Sequence, residues 1–265
     1  MHLKIYHRTE YHYEQSVHHS IQELRLIPNS SNAQEVLKWK IYAPSTLNAS
    51  IDAFENQCHT FVMESNYSDM IIEAEGEIKT TGSNEFVDAQ NAVSPYYLLQ
   101  QTDLTLPSNQ MVDFFKKDLP KDNSMESLLA LSGVIREKIE YKPGATTFAT
   151  PAQKSFELGA GVCQDYAHIM IGLCRHANIP ARYVSGYLHV PELPNLASHA
   201  WVDVCLDISK GKWVSIDVTH FSTTDEKHVR LATGRDYASA APIKGFRSGG
   251  GAEELQTRIM IQEVK

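Results

Sequence analysis

Cys163 follows a short turn containing Gly159 and Gly161 and begins a segment with helical spacing of apolar residues. A cysteine in the first turn of a helix faces unpaired backbone N–H groups and the positive end of the helix dipole. Both favour the thiolate and offer hydrogen-bond donors to an oxyanion. The sequence therefore offers a nucleophile for attack on a carbonyl carbon. The alternative is structural, because free cysteine is among the residue types most often buried.

A histidine and an aspartate follow in residues 198–220, where the alternation predicts a β-hairpin. With a turn centred near residue 208, His199 faces Asp217 directly, and one rung of error leaves the two as diagonal neighbours. A carboxylate beside an imidazole orients the ring and favours its charged form. A one-residue shift in the pairing register of the two strands is excluded, because one face of the hairpin is wholly apolar. That face consists of Ala200, Val202, Val204, Val214 and Ile216.

Cys163, His199 and Asp217 have the side chains of a nucleophile, a general base and an orienting acid. In that arrangement the thiolate attacks a carbonyl, the imidazole takes and returns the proton, and the carboxylate holds the tautomer. The competing interpretation is that the histidine and aspartate form a surface pair unconnected with the cysteine. The choice depends on whether the hairpin docks against the helix that begins at Cys163.

Other chemistry is disfavoured by motifs that the sequence lacks. The four cysteines include no CxxC pair, and Cys163 and Cys174 on one helix are separated by roughly 16 Å, too far for a disulfide or a shared metal ion. The sequence has no GxGxxG turn, no P-loop and no EF-hand loop. We therefore expect no cofactor and no metal site. Asp165 and His168, three residues apart, are expected to form a structural hydrogen bond.

Three helices are predicted around these residues. A cap at Asn123 starts the first, which ends before Pro143. A Thr-x-x-Gln capping box at Thr150 starts the second, and the third runs from about Cys163 to Ala177. Strands are predicted from alternation at residues 182–190, 198–206, 213–218 and 255–264.

The first eighty residues differ in character, with short alternating segments separated by turn-forming residues. This pattern is typical of half-buried antiparallel strands. A polar stretch at residues 80–84 has the composition of a linker. We therefore predict a small β-sandwich-like N-terminal domain at residues 1–82, followed by a catalytic domain at residues 83–265.

Composition limits the class of protein. The chain has 265 residues and a net charge of −8 with no basic block, so a nucleic-acid partner is not expected. It lacks an apolar run long enough for a membrane helix and an apolar segment of the secretory type near residue 1. We expect a cytoplasmic protein with reduced thiols and without a membrane partner. The oligomeric state is left open.

Four segments resemble the core of the bacterial transglutaminase-like superfamily. They are GVCQDYAH at 161–168, IPARYVSGY at 179–187, SHAWV at 198–202 and WVSIDVT at 213–219. YKPGAT at 141–146 and GRDY at 234–237 are similar to the subgroup described as candidate cysteine proteases, and residues 1–80 resemble the β-rich domain that precedes its core. The resemblance covers nearly the whole chain.

The resemblance implies an α+β fold with a papain-like core, in which the helix bearing the cysteine packs on an antiparallel sheet. It also implies Cys163 as nucleophile, His199 as general base and Asp217 as orienting acid. The sequence departs from the family pattern at Val218 and at His220. We interpret His220 as a satisfied histidine at a strand edge. The backbone N–H of Cys163 is one candidate oxyanion donor, and the second is unassigned.

The resemblance leaves three alternatives for the function. The leading expectation is a hydrolase that cleaves an amide or peptide bond through a thioester, acting on a protein, peptide or small amide. The second is a transglutaminase that passes the acyl group to an amine. The third is a binding protein that has lost activity, since fold alone does not fix function.

Overall fold

The computed structural model describes residues 1–88, 92–191 and 198–264. Its helices are α1 (Asn109–Phe115), α2 (Met125–Lys138), α3 (Ala152–Leu158), α4 (Cys163–His176) and α5 (Tyr237–Ala240), with a 3-10 helix at Pro95–Leu99. Its strands are β1 (His2–Ile27), β2 (Gln34–Tyr42), β3 (Asn48–Ile51), β4 (Gln57–Met63), β5 (Tyr67–Thr80), β6 (Glu85–Val87), β7 (Glu140–Tyr141), β8 (Ala160–Gly161), β9 (Ala181–Leu188), β10 (His199–Asp207), β11 (Lys212–Asp217), β12 (Ser222–Thr223), β13 (His228–Gly234), β14 (Ile243–Gly249) and β15 (Glu253–Glu263).

The long strand β1 is the centre of the first sheet. Its first half lies between β5 and β15, and its second half lies between β4 and β14. The sheet therefore takes in strands from both ends of the chain and crosses the predicted division at residues 82 and 83. The division itself stays a prediction, but the two C-terminal strands pack with the N-terminal ones.

The second sheet has the strand order β12-β11-β10-β9-β13, with β6 paired to β11. We call it the core sheet. Helix α4 packs across one face of it, and its apolar residues share a cluster with Ala200, Val202, Val204, Val214 and Ile216. The predicted apolar face of the hairpin is confirmed. So is the α+β class, with the cysteine-bearing helix on an antiparallel sheet.

The opposite face of the core sheet is held by a buried carboxylate. Asp203 accepts hydrogen bonds from Arg182 Nε at 3.0 Å, from Arg230 Nη1 and Nη2 at 2.7 Å each, and from Ser215 Oγ at 2.8 Å. Burial alone would raise the pKa of Asp203, but the two guanidinium groups lower it. These bonds connect β9, β10, β11 and β13, and so fix the strands that carry the candidate site.

The helix ends differ slightly from the sequence expectations. Helix α2 is capped by Ser124, whose hydroxyl accepts from the Ser127 N–H, while Asn123 donates to the Cys205 carbonyl. Helix α3 has Pro151 at its cap without a side-chain bond, because Thr150 Oγ1 instead accepts from the Thr147 N–H. Among the described residues, no helix combines the length and apolar character needed to cross a membrane.

Candidate active site

Cys163 is the first residue of α4, as the sequence predicts. The turn before it is closed by Asp165, whose Oδ2 accepts from the Val162 N–H at 2.8 Å and from Thr146 Oγ1 at 2.7 Å. Gly161 is required there, because a Cβ at that position would lie 2.6 Å from Asp165 Cβ. The thiol is thus placed at the positive end of a 14-residue helix.

Exposure separates Cys163 from the other cysteines. Cys163 is partly exposed, whereas Cys58, Cys174 and Cys205 are buried, and all four are free thiols. Burial raises the pKa of Cys58 and Cys205 to about 11 and that of Cys174 to about 12. These three thiols are therefore held in the protonated, poorly nucleophilic form near neutral pH.

His199 and Asp217 are in contact, with His199 Nε2 lying 2.8 Å from Asp217 Oδ2. The hairpin pairs Val202 with Ile216 and Val204 with Val214, so Asp217 lies opposite Trp201 rather than His199. The prediction that the two face each other directly is wrong by one rung, and the diagonal arrangement is found. The cause is the position of the turn, which occupies residues 208–211 and is therefore centred further along the chain than residue 208.

The hairpin docks against α4 so that Cys163 adjoins the His199 ring. Burial would lower the pKa of His199, but the hydrogen bond to Asp217 and the nearby Cys163 sulfur outweigh it and raise the pKa to about 10. The structure therefore brings together the three residues that the sequence singled out. Their arrangement can hold a thiolate beside an imidazolium that is oriented by a buried carboxylate.

Two further histidines converge on Asp217. His220 Nδ1 and His228 Nε2 lie 2.8 Å and 3.0 Å from Asp217 Oδ2. Burial alone would raise the pKa of Asp217, but the bonds to His199, His220 and His228 lower it far below its ordinary value. His220, which we interpret from the sequence as a satisfied histidine at a strand edge, has a hydrogen-bond partner, and that partner is the candidate acid itself.

His228 was not anticipated. It lies at the start of β13, is buried, and also places Nδ1 2.9 Å from Asp225 Oδ1. The bonds to both carboxylates raise its pKa against the opposing effect of burial. Its spacing from Asp217 in the sequence does not indicate that the two residues meet, because β13 reaches the site by pairing with β9 rather than with a strand of the hairpin.

The expected pairing of Asp165 with His168 is not found, since the two have different partners. Asp165 closes the turn before Cys163, whereas His168 Nε2 accepts from the Tyr237 N–H at 3.1 Å. Burial lowers the pKa of His168 to about 4. His168 is therefore a neutral core residue that fixes α5 on α4.

A cleft of about 700 Å³ opens beside the site. Its walls combine aromatic and aliphatic side chains with two of the histidines, including Tyr141, Tyr166, Leu188, Val190, His199 and His220. A cleft of this size and lining can admit a peptide segment or an amino-acid side chain. It leads to the edge of the core sheet where His199 lies.

Comparison with known proteins gives matches along most of the chain. One relative is an uncharacterized protein of Mycobacterium leprae, 29% identical over 99% of this chain and 99% of its own. A protein-glutamine gamma-glutamyltransferase of Pseudomonas aeruginosa is 28% identical over 46% of this chain and 21% of its own. The crystal structure of a candidate cysteine protease from Cytophaga hutchinsonii has the same fold, with a TM-score of 0.79 and 22% identity over 100% of this chain and 91% of that one.

Two family descriptions account for the two parts of the molecule. Residues 3–79 match the bacterial transglutaminase-like N-terminal region. Residues 114–218, which contain Cys163, His199 and Asp217, match the core of the transglutaminase-like superfamily. The chain therefore belongs to the bacterial transglutaminase-like superfamily.

Proposed function

We propose that this protein is a cysteine-nucleophile hydrolase that cleaves an amide or peptide bond through a thioester, with Cys163 as nucleophile, His199 as general base and Asp217 as orienting acid. The observation that carries the proposal is the His199–Asp217 contact of 2.8 Å at the N-terminus of the helix that begins with Cys163. A nucleophile, a base and an orienting group in mutual contact form the arrangement that acyl transfer needs.

The protonation pattern follows from the contacts. Asp217 accepts a hydrogen bond from the Nε2–H of His199 and stays ionised, so the ring presents Nδ1 to Cys163. The thiol proton moves to Nδ1, and the thiolate adds to the carbonyl carbon. The oxyanion that forms lies near the backbone N–H of Cys163, at the positive end of α4.

The intermediate collapses with cleavage of the C–N bond. The imidazolium of His199 gives its Nδ1 proton to the leaving amine, which departs and leaves a thioester on Cys163. A water molecule then gives a proton to Nδ1 as it attacks the thioester. Collapse of the second intermediate releases the carboxylic acid and regenerates the thiol.

Water as the acceptor is supported by the openness of the site. Cys163 is itself partly exposed, and the His220 side chain, which contacts Asp217, is 52% exposed, so solvent can reach the sulfur that would carry the thioester. A transferase that protects its acyl group from hydrolysis must keep water out. We therefore propose protein or peptide amides as substrates and water as the usual acceptor.

A second candidate is transfer of the acyl group to an amine. It is favoured by the similarity of part of this chain to a protein-glutamine gamma-glutamyltransferase. Both reactions share the thioester, so they differ only in the second step. An unprotonated lysine side chain entering the cleft would replace water as the attacking group.

The experiment is incubation of the purified chain with peptide pools containing glutamine, with and without a primary amine, followed by mass spectrometry. Hydrolysis gives cleaved or deamidated products, and transfer gives the amine adduct. Cys163→Ala should abolish both reactions. His12→Ala is the matched control, because His12 pairs with Asp69 at 2.7 Å on the exposed first sheet. Turnover that survives Cys163→Ala would remove the thiol from the mechanism.

A further inference from the structure

One oxygen atom of Asp217 is crowded by imidazole nitrogens. Within the described chain, His199 Nε2, His220 Nδ1 and His228 Nε2 lie 2.8, 2.8 and 3.0 Å from Oδ2, while Oδ1 accepts from the His220 backbone N–H at 3.3 Å. A carboxylate oxygen has two lone pairs. Three ring nitrogens on one oxygen therefore exceed the number that it can accept along lone-pair directions.

We propose that Asp217, His199 and His228 form a binding site for a divalent transition-metal ion, zinc in the first place, and that the bound ion switches off the chemistry at Cys163. The proposed metal binding is independent of the proposed function. The proposed inhibition rests on the proposed function, because it assumes that Cys163 and His199 are catalytic.

The donor atoms suit zinc in type and spacing. Two imidazole nitrogens and a carboxylate oxygen are common ligands of this ion, and the three atoms lie within 4.8 Å of one another. Zinc ligands at about 2.0–2.1 Å in a tetrahedron are separated by about 3.3 Å. The observed separations of 2.8 and 3.0 Å from the carboxylate oxygen need only small side-chain shifts.

The surroundings of His228 supply the outer contact that a metal-bound histidine usually has. Its Nδ1 lies 2.9 Å from Asp225 Oδ1 and 3.1 Å from the Asp225 backbone nitrogen. In the tautomer that carries Nδ1–H, the ring donates to the carboxylate and leaves Nε2 to face the ion. The Trp201 ring packs edge-on against the His228 ring, with centroids 5.4 Å apart. The ring is therefore held in the orientation that points Nε2 at Asp217.

Binding would disable His199 through its tautomer. In the thiolate–imidazolium pair both ring nitrogens carry a proton. The ion takes the place of the Nε2 proton, which passes to solvent, and Nδ1 keeps its proton facing Cys163. A neutral, metal-bound ring with Nδ1–H neither accepts a proton from water nor protonates a leaving amine, so both halves of the reaction stop.

The test is titration of the metal-free full-length chain with zinc alone, read by calorimetry, and with cobalt(II), read by absorption. We expect one ion per chain in the wild type, and binding at least tenfold weaker in His228→Gln. His12→Ala should bind as the wild type does, because it removes a histidine from an exposed His–Asp pair elsewhere. Cys163→Ala should retain binding, and the cobalt complex should lack thiolate charge-transfer absorption.

Two results would overturn the site. Undiminished binding in His228→Gln would place the ion elsewhere, and loss of binding in Cys163→Ala with a thiolate band in the wild type would place it between Cys163 and His199. If His228→Gln does not fold by circular dichroism, Asp225→Asn decides, since its carboxylate is half-exposed. We expect about 10- to 100-fold weaker zinc binding in that variant, and unchanged affinity would contradict the proposal.

The two proposals fail separately. Zinc binding is measured without substrate, so the titration decides whether the metal site exists even if no turnover is found. If zinc binds at the site and peptide hydrolysis continues at its metal-free rate, the inhibitory role is wrong while the site remains.

Discussion

His228 Nε2 lies 3.0 Å from Asp217 Oδ2, so the carboxylate that contacts His199 is itself held by a second buried imidazole. The contact joins β13 to β11, two strands that are separated by β9 and β10 in the core sheet. The orientation of Asp217 is therefore set from outside the hairpin that carries it.

Removing this contact should lower catalysis more than substrate binding. In His228→Gln, Asp217 loses a charge-assisted hydrogen bond worth about 1.5–3 kcal/mol. We expect kcat for peptide hydrolysis to fall by about tenfold or more with little change in KM. Steady-state kinetics against His12→Ala checks this. A rise in KM alone would show that His228 serves substrate binding.

Alkylation should single out Cys163. Under limiting iodoacetamide we expect Cys163 to react first, because Cys58, Cys174 and Cys205 are buried and their pKa values are raised to about 11, 12 and 11. Peptide mapping by mass spectrometry gives the four rates in one experiment. Equal rates at Cys163 and Cys58 would mean that the helix terminus does not activate the thiol.

Stability should depend on pH through the His199–Asp217 pair. The pKa of His199 is raised to about 10, so its stabilisation is fully present below the unfolded value of about 6.5 and is lost as pH rises through 10. The pKa of Asp217 is lowered, so its stabilisation is present above the unfolded value of about 3.9 and is lost only in stronger acid.

The pair is therefore most stabilising between about pH 4 and 6.5. Urea unfolding of the wild type should give a free energy that declines from about pH 6.5 to 10. In Asp217→Asn this decline should be much smaller, and an equal decline in both proteins would assign it to other groups.

Asp203 should be essential for folding stability. Asp203→Ala leaves Arg182 and Arg230 without their shared buried carboxylate, and breaking a buried ion pair from one side costs about 3–5 kcal/mol. Urea denaturation is the measurement, with Asp69→Ala on the exposed first sheet as control. A loss below about 1 kcal/mol would show that Asp88, which also contacts Arg182, compensates.

Gly161→Ala should disturb the turn before Cys163. The new Cβ would lie 2.6 Å from Asp165 Cβ, so the side chain that caps α4 has to move. Overpacking of this kind costs about 1–3 kcal/mol, and we expect slower alkylation of Cys163 as well. Thermal unfolding and labelling kinetics measure the two effects. Wild-type values in both would mean that the turn adapts without moving Asp165.

The sequence by itself determined the local features of the site. The glycine-containing turn and the apolar spacing placed Cys163 at the start of α4, and alternation placed His199 and Asp217 on one face of a hairpin. These features depend on residues a few positions apart, where backbone geometry dictates which side chains share a face. Even so, the predicted hairpin register is wrong by one rung, because the alternation does not fix where the turn lies, and the turn occupies residues 208–211.

Only the tertiary structure decided which distant groups meet. It put His228 on Asp217, gave His168 the Tyr237 N–H instead of Asp165, and paired β1 with two strands from the other end of the chain. Such contacts depend on which sheet edges and polar groups are left without local partners, and on how the whole chain packs to satisfy them. Periodicity within a segment carries no record of that outcome.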